Sequence, residues 1–513
     1  MDRPRRQRVI EVFAALLLMC LPPSAFAQAL PNLSLLRVRY NTLKTSARLE
    51  GELKAQIDAV DKELEAATRL GRNGEVRRLL AKGGTLLDGR PWTDEEEYRH
   101  SLVLRAERVF GDPAHPFTVR LEQIYAPSLA IPGPLTATVS VRALLMQPAG
   151  GAETLALGPQ PRVPRDLRES PLVMDLDVSR VPDGPHELTV TVANGDTTLG
   201  QVALRVAVLR GLNARGDALA AAAATAPEAV RADITYPLDF MRKVNRGLVE
   251  MGSFDLGREL AAAEAIGKEA VNGRNPFDGR TGDFERHYLL SGANEIMPYR
   301  VYVPTGYAAR TPTPLVIALH GLGVNEDSFF DSYGRVAPKL AEQHGFLMAA
   351  PLGFRVDGFY GSRLMAGDAA ELERREHSER DVLEVLRRMR AEYNVDASRI
   401  YLIGHSMGAI GAWALGAKYP DLWAALAPFS GLGVPATVAA MKHIPQIVVH
   451  GDQDLTVNVN GSRLMVAEMK RLGMDVTYIE VPGGTHLDVV MSNLPRAFEF
   501  LAQKRRPAAA SAP

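Results

Sequence analysis

The chain has 513 residues, of which 46% are hydrophobic and 23% are charged. This length and composition are typical of a globular protein with several domains, and they exclude a chain that is disordered throughout. The formal net charge of −1 argues against nucleic acid or an anionic membrane as a partner, because both favour a strongly basic face.

Residues 1–27 have the pattern of a secretory signal peptide. Arginines near the start precede an apolar stretch from about Val12 to Leu21, and Ala25, Phe26 and Ala27 form a small-x-small cleavage site. The alternative is a membrane anchor, but the apolar stretch is about half of the roughly 20 residues that a spanning helix needs. We therefore expect export to the periplasm or the extracellular space, with no stable membrane insertion.

The sequence offers little that would hold a cofactor. Cys20, its single cysteine, lies in the expected signal peptide, so the mature chain would have no thiol for a disulfide, a metal or catalysis. The sequence contains no H-E-x-x-H motif, no phosphate-binding G-x-x-x-x-G-K motif and no dinucleotide fingerprint. We expect neither a metal nor an organic cofactor.

The first half of the chain reads as helix, then strands, then helix again. Apolar residues from Leu36 to Leu70 recur at spacings of three and four, which predicts an amphipathic helix within a helical segment of residues 30–100. Its apolar stripe has two interpretations: a coiled coil that joins two copies of the chain, or packing on its own chain. A break in the register near Leu49 favours packing.

Residues 101–210 alternate apolar and polar side chains, as in "LTATVSVRALL" and "HELTVTVANGD", which predicts antiparallel strands in a small β-sandwich-like domain. The alanine-rich residues 211–280 predict a helical linker, and its turn-rich end marks a boundary near residue 280.

Residues 281–505 contain short apolar runs, among them "PYRVYVP", "PLVIALHG", "RIYLIGHS" and "PQIVVHGDQD", most of them separated by helical stretches. This alternation predicts the α/β class, with buried parallel strands and flanking helices. The charge run "ELERREHSERD" is interpreted as the solvated face of one such helix, and residues 506–513 are expected to be disordered.

One serine stands where chemistry is expected. Ser406 lies between Gly404 and Gly408, after the strand-like "IYLI" and before a helix-compatible stretch. Two glycines allow a turn tight enough to push the serine hydroxyl out above the carboxyl edge of the sheet. A serine hydroxyl is a weak nucleophile by itself, so the site needs a histidine base and a carboxylate that orients it.

Two later strand ends supply these groups. Asp454 follows one strand and His486 follows the next, which gives the chain order Ser, Asp, His. Asp452 is the competing acid, and Asp488 is a weaker one because it is only two residues from the histidine.

An oxyanion hole is expected on the glycine-bearing turn of "PLVIALHGLG", from the N–H of Leu322, with Gly321 as runner-up, together with the N–H of Met407. His320 is expected to shape this loop. We also expect His320, Gly321, Phe359 and Tyr360 to border the substrate. The alternative for the two aromatic residues is that they only pack a lid.

The motifs "LHGLG", "NVDASRIYLIGHSMGA", "HGDQDLTV" and "GGTH" resemble the α/β-hydrolase superfamily over about residues 282–503. Within it they are similar to secreted esterases of the polyhydroxybutyrate depolymerase and feruloyl esterase type, with prolyl oligopeptidase-like hydrolases close by. The resemblance implies Ser406 as nucleophile, Asp454 as acid and His486 as base. Ala409 departs from the pattern, which often has a second glycine after the turn.

The expected activity is therefore cleavage of a small-molecule or oligomeric carboxylic ester through an acyl-enzyme. A prolyl oligopeptidase-like peptidase is the first alternative, although no β-propeller repeat is visible upstream. A non-catalytic binding module on a hydrolase fold is the second. Neither the acyl group nor the alcohol follows from the fold.

Overall fold

The computed structural model describes residues 33–128, 134–144, 154–158, 161–252, 254–364 and 369–506. The chain divides into two compact units, Met1–Asn275 and Pro276–Pro513. The expected signal peptide and all but the first residue of the expected disordered tail lie outside the described residues. Within the described ranges, no helix has both the length and the apolar character needed to cross a membrane.

Four helices open the described part of the N-terminal unit. Where the sequence predicted one helix from Leu36 to Leu70, there are two, and they separate at residues 47–50, where the apolar register breaks. Their apolar stripes pack with the third helix around Tyr40, Ile57 and Leu79. The stripe is thus covered by the chain itself. The four helices are α1 (Leu33–Ser46), α2 (Gly51–Arg69), α3 (Asn73–Leu87) and α4 (Asp94–Ser101).

The middle of this unit consists of two antiparallel-rich sheets. One has the order β1-β3-β7, and the other has the order β2-β9-β8-β4-β5 with β6 also paired to β4. Alternate residues of β3 and β8 are buried, as their sequence pattern requires. The strands are β1 (Leu102–Ala106), β2 (Phe110–Gly111), β3 (Phe117–Gln123), β4 (Leu135–Ala143), β5 (Thr154–Ala156), β6 (Arg162–Val163), β7 (Leu172–Leu176), β8 (Gly184–Asn194) and β9 (Thr197–Val208).

Three helices follow in the alanine-rich stretch. A short turn that contains Pro227 separates the first helix from the second, and Pro227 directly precedes the second helix. The helices are α5 (Leu212–Thr225), α6 (Glu228–Asn245) and α7 (Leu256–Ala270).

The C-terminal unit is built on an eight-stranded sheet with the order β10-β11-β13-β12-β14-β15-β16-β17. Helices between the strands bury its two faces, which explains why the central strands are continuously apolar. The strands are β10 (Gly282–Leu290), β11 (Glu295–Val303), β12 (Thr313–Leu319), β13 (Leu347–Pro351), β14 (Val395–His405), β15 (Ala425–Phe429), β16 (Gln446–Gly451) and β17 (Val476–Val481).

This unit confirms the expected α/β class, with one correction. The run "PYRVYVP" was expected to be parallel, but it belongs to β11, which pairs antiparallel with both β10 and β13. The pairs from β12 to β17 are parallel, so their carboxyl ends meet at one edge of the sheet. The helices of the unit are α8 (Ser328–Asp331), α9 (Val336–His344), α10 (Ala369–Glu392), α11 (Met407–Lys418), α12 (Asn460–Arg471) and α13 (Asp488–Ala502).

Candidate active site

Ser406 occupies a sharp turn between β14 and α11. Its backbone has φ 56° and ψ −116°, a conformation that a residue with a side chain rarely adopts. The turn is that tight because backbone crosses backbone: a Cβ at Gly404 would lie 2.2 Å from Gly408 O, and a Cβ at Gly408 would lie 1.9 Å from Leu319 O. Both glycines of the motif are therefore required by contact distance.

Ala409, which departs from the expected motif, fits because the residue that faces it is a glycine. A Cβ at Gly431, just beyond β15, would lie 2.5 Å from the Cβ of Ala409. The methyl group of Ala409 thus takes the space that Gly431 leaves empty. The departure noted in the sequence is accommodated locally.

His486 and Asp454 meet beside this turn. His486 Nδ1 lies 2.7 Å from Asp454 Oδ2. The other carboxylate oxygen accepts the N–H groups of Thr456 and Val457, each at 2.8 Å. The Asp454 side chain has 0% exposure and that of His486 has 15%, so the carboxylate is enclosed and the imidazole reaches the surface.

Burial alone would raise the pKa of the Asp454 carboxyl. Hydrogen bonds from His450, His486 and the Val457 N–H outweigh burial and hold this pKa well below its usual range. Asp454 is therefore a carboxylate at neutral pH. Its competitor Asp452 accepts instead from the N–H of Gly483 at 2.7 Å, and Asp488 accepts from the N–H of Thr485 at 2.9 Å.

Close backbone contact brings the two loops together. A Cβ at Gly451 would lie 2.1 Å from Gly484 O, and the Gln453 N–H donates to the same carbonyl at 3.0 Å. The loop after β16 is thereby held against the loop after β17. This contact sets the distance between Asp454 and His486.

His405, the residue before the serine, links the turn to the His486 loop. Its Nε2 donates to His486 O at 2.9 Å, and its Nδ1 accepts from the hydroxyl of Tyr333 at 2.9 Å. The ring centroids of His405 and His486 are 4.7 Å apart. Burial, with a smaller contribution from the charge of His486, lowers the pKa of His405 to about 3, so it is neutral and structural at pH 7.

The loop after β12 lies against Ser406. A Cβ at Gly321 would be 3.5 Å from the Cβ of Ser406. Within the described part of the chain, the N–H groups of Leu322, Gly321 and Met407 donate to no carbonyl in a turn or loop. That these N–H groups form an oxyanion hole at Ser406 stays a prediction from the sequence.

His320 supports this loop from behind. It is 1% exposed, and its ring nitrogens lie 2.7 Å from Gly321 O and 2.6 Å from Leu352 O. Burial lowers its pKa, whereas the two carbonyl oxygens, which can only accept hydrogen bonds, act in the opposite direction. The side chain ties the two loops together. The sequence predicted that His320 shapes the loop after β12 and also borders the substrate. In the structure its buried side chain contacts the backbone of two loops, as the first expectation requires.

Tyr360 is also a support. Its ring has 0% exposure and fits between Gly353 and Gly411, whose Cβ positions would each be 2.6 Å from it, and its hydroxyl donates to His320 O at 3.3 Å. Phe359, its neighbour, is partly exposed and faces the guanidinium of Arg375, 4.5 Å from the ring centroid. Of the two aromatic residues that were expected to border the substrate, only Phe359 has a side chain that is partly exposed to solvent.

Helix α10 corrects the interpretation of "ELERREHSERD" as a solvated face. Ser378 and Asp381 have 0% exposure. Asp381 accepts from the Tyr288 hydroxyl at 2.5 Å and from the Phe354 N–H at 2.8 Å, and Ser378 accepts from the Tyr360 N–H at 3.0 Å. These buried polar groups hold the 353–361 segment in place by hydrogen bonds. Their burial could not be predicted from the sequence, because most of the neighbouring residues are charged.

A cavity of about 660 Å³ lies elsewhere, in the N-terminal unit. It is lined by residues of the N-terminal unit between Leu36 and Gly252 and includes none of Ser406, Asp454 or His486. No group of side chains suited to hold a metal ion is found among the described residues.

The sheet order and the strand-to-helix serine turn define the C-terminal unit as an α/β-hydrolase. Residues 291–486 match the family model described as "Putative esterase". This match confirms the resemblance that the motifs indicated: the C-terminal unit is similar to esterases of the α/β-hydrolase superfamily.

Similar curated proteins agree with this assignment. The chain is 29% identical over 145 residues to feruloyl esterase B of Neurospora crassa, covering 28% of this chain and 47% of that protein. It is 28% identical over 158 residues to the bifunctional acetylxylan esterase/xylanase XynS20E of Neocallimastix patriciarum, covering 31% and 21%. It is 28% identical over 131 residues to poly(3-hydroxyalkanoate) depolymerase C of Paucimonas lemoignei, covering 25% and 30%. The chain therefore spans less than half of each of these relatives.

Two solved structures are similar at low identity. A thermostable esterase is 16% identical with a TM-score of 0.38, covering 76% of this chain and 95% of that one. An S-formylglutathione hydrolase from Agrobacterium tumefaciens is 19% identical with a TM-score of 0.36, covering 43% and 95%.

Proposed function

We propose that this protein is a serine hydrolase that cleaves carboxylic esters, with Ser406 as nucleophile, His486 as base and Asp454 as the orienting acid. The observation that carries the proposal is the 2.7 Å contact between His486 Nδ1 and Asp454 Oδ2 beside the strained Ser406 turn. Its support from known proteins is the esterase family match and the esterase relatives.

The proposed mechanism follows from the positions of these groups. Ser406 Oγ attacks the ester carbonyl while His486 Nε2 takes its proton, and the buried carboxylate of Asp454 stabilises the imidazolium. The negative charge on the carbonyl oxygen is met by the N–H groups of Leu322 and Met407. His486 then gives its proton to the leaving alcohol. Water, activated by the same histidine, cleaves the acyl-enzyme and releases the acid.

Export is part of the proposal. The arginines, the apolar stretch and the Ala25-Phe26-Ala27 sequence of the first residues support it. We propose a small-molecule or oligomeric ester as the substrate, met outside the cytoplasm.

The test is hydrolysis of p-nitrophenyl acetate and methyl ferulate by the full chain, with a proline-containing peptide p-nitroanilide as the comparison. We expect ester turnover that is lost in Ser406→Ala and kept in the control Ser398→Ala, which lies at the opposite end of the same strand. A fluorophosphonate should label the wild type once per chain and should not label Ser406→Ala. Preference for the anilide, or ester turnover that survives in Ser406→Ala, would overturn the proposal.

A further inference from the structure

A second histidine touches the carboxylate of Asp454. His450 lies near the end of β16 and is fully buried. Its Nε2 is 3.2 Å from Asp454 Oδ2 and 3.0 Å from Val457 O, and its Nδ1 is 2.7 Å from Ser462 Oγ. The proposed mechanism uses none of these contacts.

The partners of His450 determine where its proton lies. A carbonyl oxygen and a carboxylate oxygen only accept hydrogen bonds, so Nε2, which faces both, must carry a hydrogen and donate it. The Ser462 hydroxyl, which lies 3.1 Å from Gly431 O, can serve Nδ1 as donor or acceptor. The ring is thus held at both nitrogens, and its Nε2–H lies between Val457 O at 3.0 Å and Asp454 Oδ2 at 3.2 Å.

This donor completes the coordination of the carboxylate. The backbone N–H groups of Thr456 and Val457 occupy Oδ1, while His486 and His450 share Oδ2. A carboxylate has about four lone-pair sites, and here four donors face it. Asp454 therefore has one orientation, and that orientation points a lone pair at His486 Nδ1.

Because His486 is partly exposed, its ring orientation depends on Asp454. Without the His450 N–H, Oδ2 would keep only His486 as a partner in a site closed to water, so the orientation of the carboxylate would be fixed less strictly. The imidazole would then spend less time aligned with Ser406. Such a loss affects the chemical step and not substrate binding.

We propose that His450 is a positioning residue of the catalytic machinery, which acts by fixing the Asp454 carboxylate through a hydrogen bond to the oxygen that also orients His486. The inference rests on the proposed function, since it assigns His450 a role in the same reaction.

The experiment compares three replacements in the full chain. Gln places an amide N–H near the position of Nε2, Met has a similar length without a donor, and Asn reaches only the position of Nδ1. We expect His450→Met and His450→Asn to lower kcat for p-nitrophenyl acetate at least about tenfold, with KM changed less than about twofold, on the scale seen for loss of an orienting partner. His450→Gln should recover most of kcat. His443→Met, at an exposed histidine, is the matched control.

Several outcomes would overturn the inference. These are full kcat in folded His450→Met, equal loss in the Gln and Asn variants, or a change in KM alone. If His450→Met does not fold, the comparison of Gln with Asn decides; failure of all three to fold would make His450 a folding residue only. If the wild type cleaves no ester, the proposed function fails separately, and the rate at which fluorophosphonate labels Ser406 in the same variants still tests His450.

Discussion

His486 Nδ1 lies 2.7 Å from Asp454 Oδ2, whereas Asp452, two residues earlier in the same loop, accepts from the backbone N–H of Gly483. The two acids have different partners because the loop turns between them. Asp454 faces the imidazole, and Asp452 accepts a hydrogen bond from the backbone of the neighbouring loop. Their roles can therefore be separated by the same substitution at each position.

We predict that Asp454→Asn lowers kcat/KM for p-nitrophenyl acetate by about 10³-fold to 10⁴-fold. An amide cannot balance the charge of the imidazolium, and it favours the wrong tautomer of His486. Asp452→Asn keeps an oxygen for the Gly483 N–H and should have a minor effect. Steady-state kinetics on both variants provide the check, and equal, severe losses would contradict the assignment of the acid.

A second prediction concerns the glycines of the turn. Gly408→Ala should lower the free energy of unfolding by about 2 kcal/mol or more and reduce activity, because the new Cβ would lie 1.9 Å from Leu319 O and must displace backbone. Gly306→Ala is the control, since its Cβ would meet nothing within 4 Å. Urea unfolding of both variants measures the difference. Similar stability of the two would show that the turn relaxes freely.

The third prediction is a pH dependence of stability. Burial lowers the pKa of His405 from 6.5 to about 3, so between these values the unfolded chain binds a proton that the folded chain does not. The contribution of His405 is complete above pH 6.5 and decreases as the pH falls, by up to about 1.4 kcal/mol per pH unit. Asp454 keeps its own contribution above the ordinary carboxyl pKa of 3.8 and loses it as the pH falls from there toward its lowered pKa.

The measurement is urea unfolding at pH 7 and pH 5 for the wild type and His405→Gln. The wild type should lose about 2 kcal/mol more than the variant over this interval, which is the proton linkage of one depressed histidine. If both lose the same amount, His405 is not the group that titrates.

The positions of Ser406, Asp454 and His486 could be predicted because each depends on a local pattern: a glycine-flanked serine after a strand, and two polar residues after later strands. Parallel strands bring such loops to one edge without further information. Antiparallel β11 could not be recognised from its own residues, because strand direction is set by the neighbours with which it pairs. The same is true of His450, whose role depends on Ser462, twelve residues away, and on the orientation of Asp454.

Asp381 shows the same limit inside a helix. Its sequence context is charged, so the periodicity of α10 does not distinguish it from exposed neighbours. Its burial is decided by the Tyr288 hydroxyl and the Phe354 N–H, which come from a distant strand and a loop. Only the folded arrangement identifies it as a support of the 353–361 segment.

That support leads to the last prediction. The 353–361 segment is joined to the loop of the expected oxyanion hole, because the Gly323 N–H donates to Val356 O at 2.9 Å. Asp381→Ala would leave the Tyr288 hydroxyl and the Phe354 N–H without this buried acceptor, so we expect a loss of about 2 to 4 kcal/mol in the free energy of unfolding. Because the loosened segment also holds the oxyanion loop, kcat for p-nitrophenyl acetate should fall as well.

Glu373→Ala on the same helix is the control, since the Glu373 side chain is 75% exposed. It should change neither stability nor kcat appreciably. Urea unfolding and steady-state kinetics on the two variants separate the outcomes. If Asp381→Ala is stable and has full kcat, the 353–361 segment is held by other contacts. If the variant is less stable but its folded fraction has full kcat, the segment does not influence the oxyanion loop.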